Sequence, residues 1–161
     1  MTIQVGDRLP AVSLKQLTPE GIKDVSITDL TRGKKVVLFA VPGAFTPTCS
    51  EKHLPGFVDL ADDIAAKGVD AIVCVAVNDP FVVSAWEKAR NVGGKVRMLS
   101  DGNAEFTRAL GLDFDGSAVG LGTRSKRYAM VVDDGVVKAL MVVDAPAQAE
   151  KSSAAAILAA L

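Results

Sequence analysis

Two short runs without a polar residue dominate the hydropathy pattern: Val36-Val37-Leu38-Phe39-Ala40-Val41 and Ala71-Ile72-Val73-Cys74-Val75-Ala76-Val77. Continuous apolar runs of this length, bounded by turn residues, predict strands covered on both faces. Between them the period changes. Leu54, Phe57, Val58, Ala61, Ile64 and Ala65 fall on one helical face, Asp62, Asp63 and Lys67 on the other, and Gly68 ends the segment. A strand, a crossover helix and a second strand make a unit whose strands run parallel. Asn78-Asp79-Pro80 then opens a second helix through Trp86 to about Asn91, residues 97–99 form a short strand, and residues 104–110 form a short helix closed by Gly111.

The last third changes character. Residues 128–132 and 136–142, joined through Asp133-Asp134-Gly135, predict a β-hairpin with a tight turn, and the alanine-rich stretch 147–161 predicts a final helix. Parallel strands and helices followed by an antiparallel hairpin and a terminal helix predict an α/β sandwich of the thioredoxin kind. Its central mixed sheet is flanked by helices and preceded by an N-terminal extension. With 161 residues, 49% of them hydrophobic, a single domain over 1–161 can bury a sizeable core.

A net charge of −1 and the lack of a basic cluster interleaved with aromatics argue against nucleic acid as the main partner, and Arg124 with Lys126 reads as a solvated face. No apolar stretch reaches membrane-spanning length, and the first ten residues, with Asp7 and Arg8, hold no signal-peptide core, so a cytoplasmic protein is expected. Two cysteines in a chain this long are no disulfide framework, which makes catalytic or buried thiols the expectation.

Cys49 is the leading reactive candidate. Thr48 and Glu51 read as a capping box with Cys49 at the first helical position, and an alternative register caps at Thr46 with Pro47 at N1. Either one puts the thiol in a first turn, where free N–H groups and the helix dipole favour the thiolate and lower the thiol pKa from its usual value of about 8.5. Ser50, Glu51 and Lys52 follow, so the redox pair Cys-x-x-Cys is absent. Cys74 lies inside a buried-looking strand and packs there as a small hydrophobe. His53, the sole histidine, stands four residues after Cys49, but one helix supplies neither the orienting group of a Cys/His dyad nor enough ligands for zinc, so a structural or pocket-lining role is favoured. Trp86 reads as a core or interface aromatic, and Gly120-Leu121-Gly122-Thr123 lacks the third glycine of a nucleotide loop. Pro55-Gly56 predicts a kink near Leu54, either a helix bent around the core or a first turn able to unwind.

Pro42, Thr46 and Cys49 match the P-x-x-x-T-x-x-C motif, and the wider Pro42-Gly43-Ala44-Phe45-Thr46-Pro47-Thr48-Cys49-Ser50 with His53-Leu54-Pro55-Gly56-Phe57 resembles the type II, atypical two-cysteine branch of the peroxiredoxins. The likeness continues through Val77-Asn78-Asp79, Ser100-Asp101-Gly102 and Arg124-Ser125-Lys126-Arg127-Tyr128. The resemblance implies a thiol peroxidase acting on hydrogen peroxide and alkyl hydroperoxides, with Cys49 as the peroxidatic cysteine. It makes Thr46 and Arg127 the groups that complete the site, with Pro42 shielding it and Gly43, Phe45, Thr48 and Leu121 lining the substrate pocket. It also implies a homodimer paired near the active site. Animal members carry a resolving cysteine near the C-terminus, and residues 146–161 contain none, while Cys74 matches a cysteine that plant and bacterial members often keep, a possible resolver. Glutathione with glutaredoxin is therefore the first expected reductant and thioredoxin the second.

The expected chemistry is an in-line displacement in which sulfur attacks one oxygen, the O–O bond breaks and Cys49 becomes a sulfenic acid, with no metal or organic cofactor required. Lowering the thiol pKa to about 6 raises the thiolate fraction roughly 30-fold, but weaker nucleophilicity removes about tenfold of that gain. Most of the acceleration must come from transition-state stabilisation by Thr46, the N–H groups of residues 43–49 and the Arg127 guanidinium. Two other readings use the same thiol: a redox sensor or holdase that binds a client protein, and a thiol-disulfide oxidoreductase, against which the missing second cysteine counts.

Overall fold

The computed structural model describes residues 2–46, 53–143 and 153–161. In chain order it contains β1 (Ser13–Thr18), β2 (Gly21–Ser26), α1 (Ile27–Thr31), β3 (Lys35–Val41), α2 (Leu54–Asp59), α3 (Ala61–Ala65), β4 (Ala71–Ala76), α4 (Pro80–Ala89) and β5 (Arg97–Ser100). Then follow α5 (Glu105–Leu110), β6 (Asp113–Asp115), β7 (Thr123–Ser125), β8 (Arg127–Asp133), β9 (Val136–Val143) and α6 (Ala154–Ala160). Seven strands form one mixed sheet in the order β2-β1-β5-β4-β3-β8-β9, and β6 pairs with β7 in a separate ribbon.

The two apolar runs are the central strands β3 and β4, paired in parallel from Val36↔Ala71 to Val41↔Ala76. Their continuous hydrophobicity follows from double coverage. Val37, Phe39 and Val41 pack on one face with Phe57, Ile64, Trp86 and Ile157 from the helices, while Val36, Leu38 and Ala40 pack on the other with Ile27, Leu30, Phe106 and Leu110. Trp86 is fully buried in the first of these clusters, as expected of a core aromatic. The α/β sandwich read from the pattern is the fold observed.

The predicted hairpin is β8 and β9. Asp134 and Gly135 have φ of 50° and 81°, the paired positive values of a type I′ turn, whose twist suits two-residue hairpins. Asp79 caps α4 by accepting from Val82 N–H at 2.8 Å, with Pro80 in the first turn.

Three segments differ from expectation. The N-terminal extension contains a β-hairpin that joins the sheet, β1 lying antiparallel to β5 through Lys15↔Ser100. The helix expected to end at Gly68 is two pieces that meet at Leu60 (φ −98°, ψ 8°), although Leu60 N–H still reaches Gly56 O and Ile64 N–H still reaches Leu60 O. Pro55 sits in the first turn of α2, His53 before it already has helical angles (φ −68°, ψ −60°), and the residues from which a helix opening at Cys49 is expected lie outside the described residues. Ala104 is left-handed (φ 59°) and precedes α5. The described part of the last helix starts at Ala154 under a Ser153 cap; residues 147–152 of that expected helix lie outside the described residues.

Tyr128, the one tyrosine of the chain, is fully buried in β8, and its hydroxyl has no hydrogen-bond partner among the described residues. Burial, with the nearby Asp101 charge and then Cys74 adding to it, pushes the phenol pKa well above 10.0. Because the folded pKa exceeds the unfolded one, stability is intact below about pH 10 and falls as pH rises further, when only the unfolded chain can ionise. Alkaline titration is expected to show no tyrosinate absorbance until the protein unfolds. Tyr128→Phe is expected to flatten that loss, and at neutral pH to be neutral or stabilising by up to about 1 kcal/mol in urea unfolding. A variant destabilised by more than that would mean that the hydroxyl is bonded.

Candidate active site

Strand β3 ends at Val41 and delivers residues 42–46 to the edge of the core. Pro42, Gly43 and Ala44 are buried, Phe45 is exposed, and Thr46 is half-buried. Phe45 adopts φ 64°, a left-handed conformation uncommon for a bulky residue. The Thr46 hydroxyl donates to the Gly43 carbonyl at 2.7 Å, and Thr46 N–H points at the same oxygen at 3.3 Å. The Thr46 proton is therefore committed, and its oxygen lone pairs remain as acceptors.

Strand β8 lies beside β3, with Tyr128 opposite Ala40, so Arg127 leaves the sheet next to the start of this loop. Arg127 is 1% exposed and its Nη1 lies 2.8 Å from His53 Nδ1. A guanidinium only donates, so Nδ1 accepts and the His53 ring is neutral with its proton on Nε2. The ring is fixed from two elements. It meets Phe39 of β3 edge-on at 5.1 Å and Phe57 of α2 at 5.6 Å, while those two phenyl rings stack at 3.9 Å and 7°. Of the structural and pocket-lining roles that the sequence favours, these buried contacts fit the structural one, and a ring whose Nδ1 accepts from Arg127 does not offer that nitrogen to a Cys/His dyad. Among the described residues no cluster of three or more metal-ligating side chains occurs.

The reading of Arg124 as a solvated face is corrected: it is half-buried against the loop after β3. Its Nη1 donates to Pro42 O at 3.3 Å and its Nε to Leu121 O at 3.0 Å, which ties the candidate pocket residue Leu121 to the loop. Gly43 makes this approach possible, because a Cβ there would stand 2.5 Å from Arg124 Nη1. Asn78 also reaches the loop, accepting Ala44 N–H on Oδ1 at 2.9 Å. The N–H groups of Ala44 and Thr46, expected to face the peroxide, are thus engaged within the protein. Both Asn78 and Arg124 fall in stretches that carry the family likeness, which is their sign in the sequence, but the likeness gives neither a role. Cys49 and Thr48 lie outside the described residues. Cys74 is 1% exposed within β4, opposite Phe39 and Met98, in the core position that its apolar strand suggested.

The sequence profile described as Redoxin matches residues 4–158. The chain is 57% identical over 144 residues to peroxiredoxin-2E-2, chloroplastic, of Oryza sativa and 54% identical over 143 residues to peroxiredoxin-2E, chloroplastic, of Arabidopsis thaliana, each match covering 86% of this chain. It spans 64% and 61% of the length of those two relatives. A crystal structure of reduced Prx3 from Vibrio vulnificus in complex with hydrogen peroxide superposes with a TM-score of 0.93 at 55% identity, covering 99% of both chains. The chain belongs to the redoxin family, among the peroxiredoxins, a class of thiol peroxidases with a thioredoxin-like fold. The cytoplasmic expectation is overturned by the same relatives, both of which are chloroplastic proteins. Cellular addresses are read from targeting segments by receptors, so the composition of a folded domain does not report them.

Replacing His53 with Leu removes the acceptor facing a buried guanidinium and is expected to cost about 1.5–3 kcal/mol in urea unfolding, with His53→Gln recovering part of it. A cost below about 0.5 kcal/mol for the Leu variant would mean that Arg127 does not depend on this contact.

Proposed function

We propose that residues 1–161 form a single type II peroxiredoxin domain that reduces hydrogen peroxide and alkyl hydroperoxides with Cys49. The observation that carries this reading is the buried Arg127, oriented by a neutral His53 beside the loop that carries Thr46. The Vibrio relative, solved with hydrogen peroxide, supports the substrate.

In this mechanism the Cys49 thiolate attacks one peroxide oxygen. The O–O bond breaks, hydroxide or alkoxide leaves and takes a proton from water, and Cys49 holds the oxygen as sulfenic acid. Thr46 Oγ1, its own proton given to Gly43 O, accepts the peroxide O–H and so sets its direction. Arg127 stabilises the charge that develops on the breaking bond, a task for which its planar fork suits it better than an ammonium. Pro42 shields the thiolate, and Gly43, Phe45, Thr48 and Leu121 line the pocket.

Cys74 serves as core in this reading. An external thiol, glutathione with glutaredoxin before thioredoxin, returns Cys49 to the thiol, because a disulfide to Cys74 would have to open the sheet centre. A homodimer is supported by exposed apolar side chains around the site. Phe45 (51% exposed) is in the loop, Phe81 (61%) follows Asn78 by three residues, and Val119 (75%) precedes Leu121 by two.

One equivalent of hydrogen peroxide added to the reduced protein is expected to add one oxygen to Cys49, read by intact and peptide mass, and a second on longer exposure. An unmodified Cys49 would overturn the peroxidase reading, and a Cys49 to Cys74 link would overturn external recycling. Arg127→Lys is expected to slow that oxidation about 100-fold although it keeps the charge. A rate near wild type would remove Arg127 from the chemistry.

A further inference from the structure

Asn78 sits at the junction of three segments. Its side-chain oxygen accepts Ala44 N–H at 2.9 Å, and its backbone carbonyl accepts the hydroxyl of Ser100, which is 1% exposed at the end of β5. Ser100 Oγ in turn accepts Gly102 N–H at 3.1 Å, and Asp101 N–H bonds Ala76 O at 2.8 Å. The main chain around Asn78 is therefore bolted to the β5 end, and its side chain reaches outward from that support. A backbone N–H only donates, which fixes the amide with Oδ1 toward Ala44.

The bond falls one residue before Phe45, whose φ of 64° turns the chain so that Thr46 N–H and Oγ1 both meet Gly43 O. A left-handed phenylalanine is a strained conformation that persists only where its surroundings hold it. On one side Arg124 holds Pro42 O; on the other Asn78 holds Ala44 N–H. Arg124 has a flexible stem, whereas Asn78 is short and its main chain is fastened to β5.

We propose that Asn78 is a positioning residue for peroxide reduction: by accepting Ala44 N–H it fixes the turn that aims the Thr46 oxygen at the peroxide. It touches no reacting atom. The inference rests on the peroxidase reading above and adds to it a residue that acts through Thr46. Loss of the bond lets Phe45 relax and Thr46 drift, and misplacement of a substrate-orienting group by about 1 Å costs on the order of 100-fold in rate.

The test compares two reactions of the same thiol in the reduced chain of residues 1–161. Hydrogen peroxide needs the Thr46 oxygen; iodoacetamide needs only an accessible thiolate. Asn78→Ala is expected to slow Cys49 oxidation by hydrogen peroxide about 10- to 100-fold while alkylation stays within about twofold. Asn78→Asp, which keeps an oxygen acceptor, is expected to recover most of the peroxide rate. Should the Ala variant fail to fold, Asn78→Ser, whose hydroxyl falls short of Ala44, carries the same comparison. Equal losses in both reactions, an unchanged peroxide rate, or no recovery with Asp would each overturn the proposal. A wild-type chain that reacts with peroxide no faster than free cysteine would instead overturn the peroxidase reading on which it stands.

Discussion

Strand β3 has neither a free edge nor a free face. It is hydrogen-bonded in parallel to β4 and antiparallel to β8, and every residue from Val36 to Val41 is sealed under helices. With a side-chain period of two, a slip of one residue would exchange Phe39 and its face for Leu38 and its face, against different helices. The register is therefore rigidly specified, and the position at which the chain leaves the sheet is specified with it. Val41 ends on the same margin as the start of β8, so the loop of Pro42 and Thr46 emerges beside Arg127 without any contact of their own having to bring them together. Residues more than eighty apart in sequence owe their proximity to one antiparallel pairing.

Burying a guanidinium at that margin sets a second constraint. Desolvation makes a buried charge costly unless its donors are met. His53 meets one of them with a neutral ring, which fixes the tautomer and takes the imidazole out of proton transfer. The ring packs edge-on against Phe39 and Phe57, which helps to hold it there. The two phenylalanines belong to different elements, so orientation of Arg127 depends on how α2 packs against β3. A change in that packing would reach the site without touching any residue of it.

What could be read from the residues followed the strength of their local signals. The central strands, the capped helix α4 and the Asp134-Gly135 turn were legible because unbroken hydrophobicity and special backbone angles each leave a narrow choice of residue. The β1–β2 hairpin was not, since Ser-Leu-Lys-Gln-Leu-Thr offers two leucines and no alternation; it is a strand because Leu14 finds a buried place and β5 offers an edge. The candidate pocket residues stand out by their motif, whereas Arg124 and Asn78 fall in the family likeness with no role attached to them. Arg124 looks like any surface arginine until Pro42 O and Gly43 are seen beneath it. Asn78 looks like a turn residue until Ala44 N–H is found against its side chain. Support is a property of three-dimensional neighbours, whereas chemistry is advertised by residue type.

That division bears on where the rate of such a site comes from. A depressed thiol pKa supplies only a few-fold, because the gain in thiolate is nearly cancelled by lost nucleophilicity. The remainder must reside in directed contacts whose value depends on their geometry before the peroxide arrives. With the N–H groups of Ala44 and Thr46 bonded to Asn78 and Gly43, fewer donors are left to face a substrate, and each matters more. The protein uses those N–H groups to hold a left-handed Phe45 and an oriented Thr46, exchanging generic donors for a fixed acceptor. In the proposed mechanism, pairing that acceptor with the Arg127 cation would set opposite polarity at the two ends of the peroxide, an arrangement that favours charge separation along the O–O bond over simple binding of an uncharged molecule.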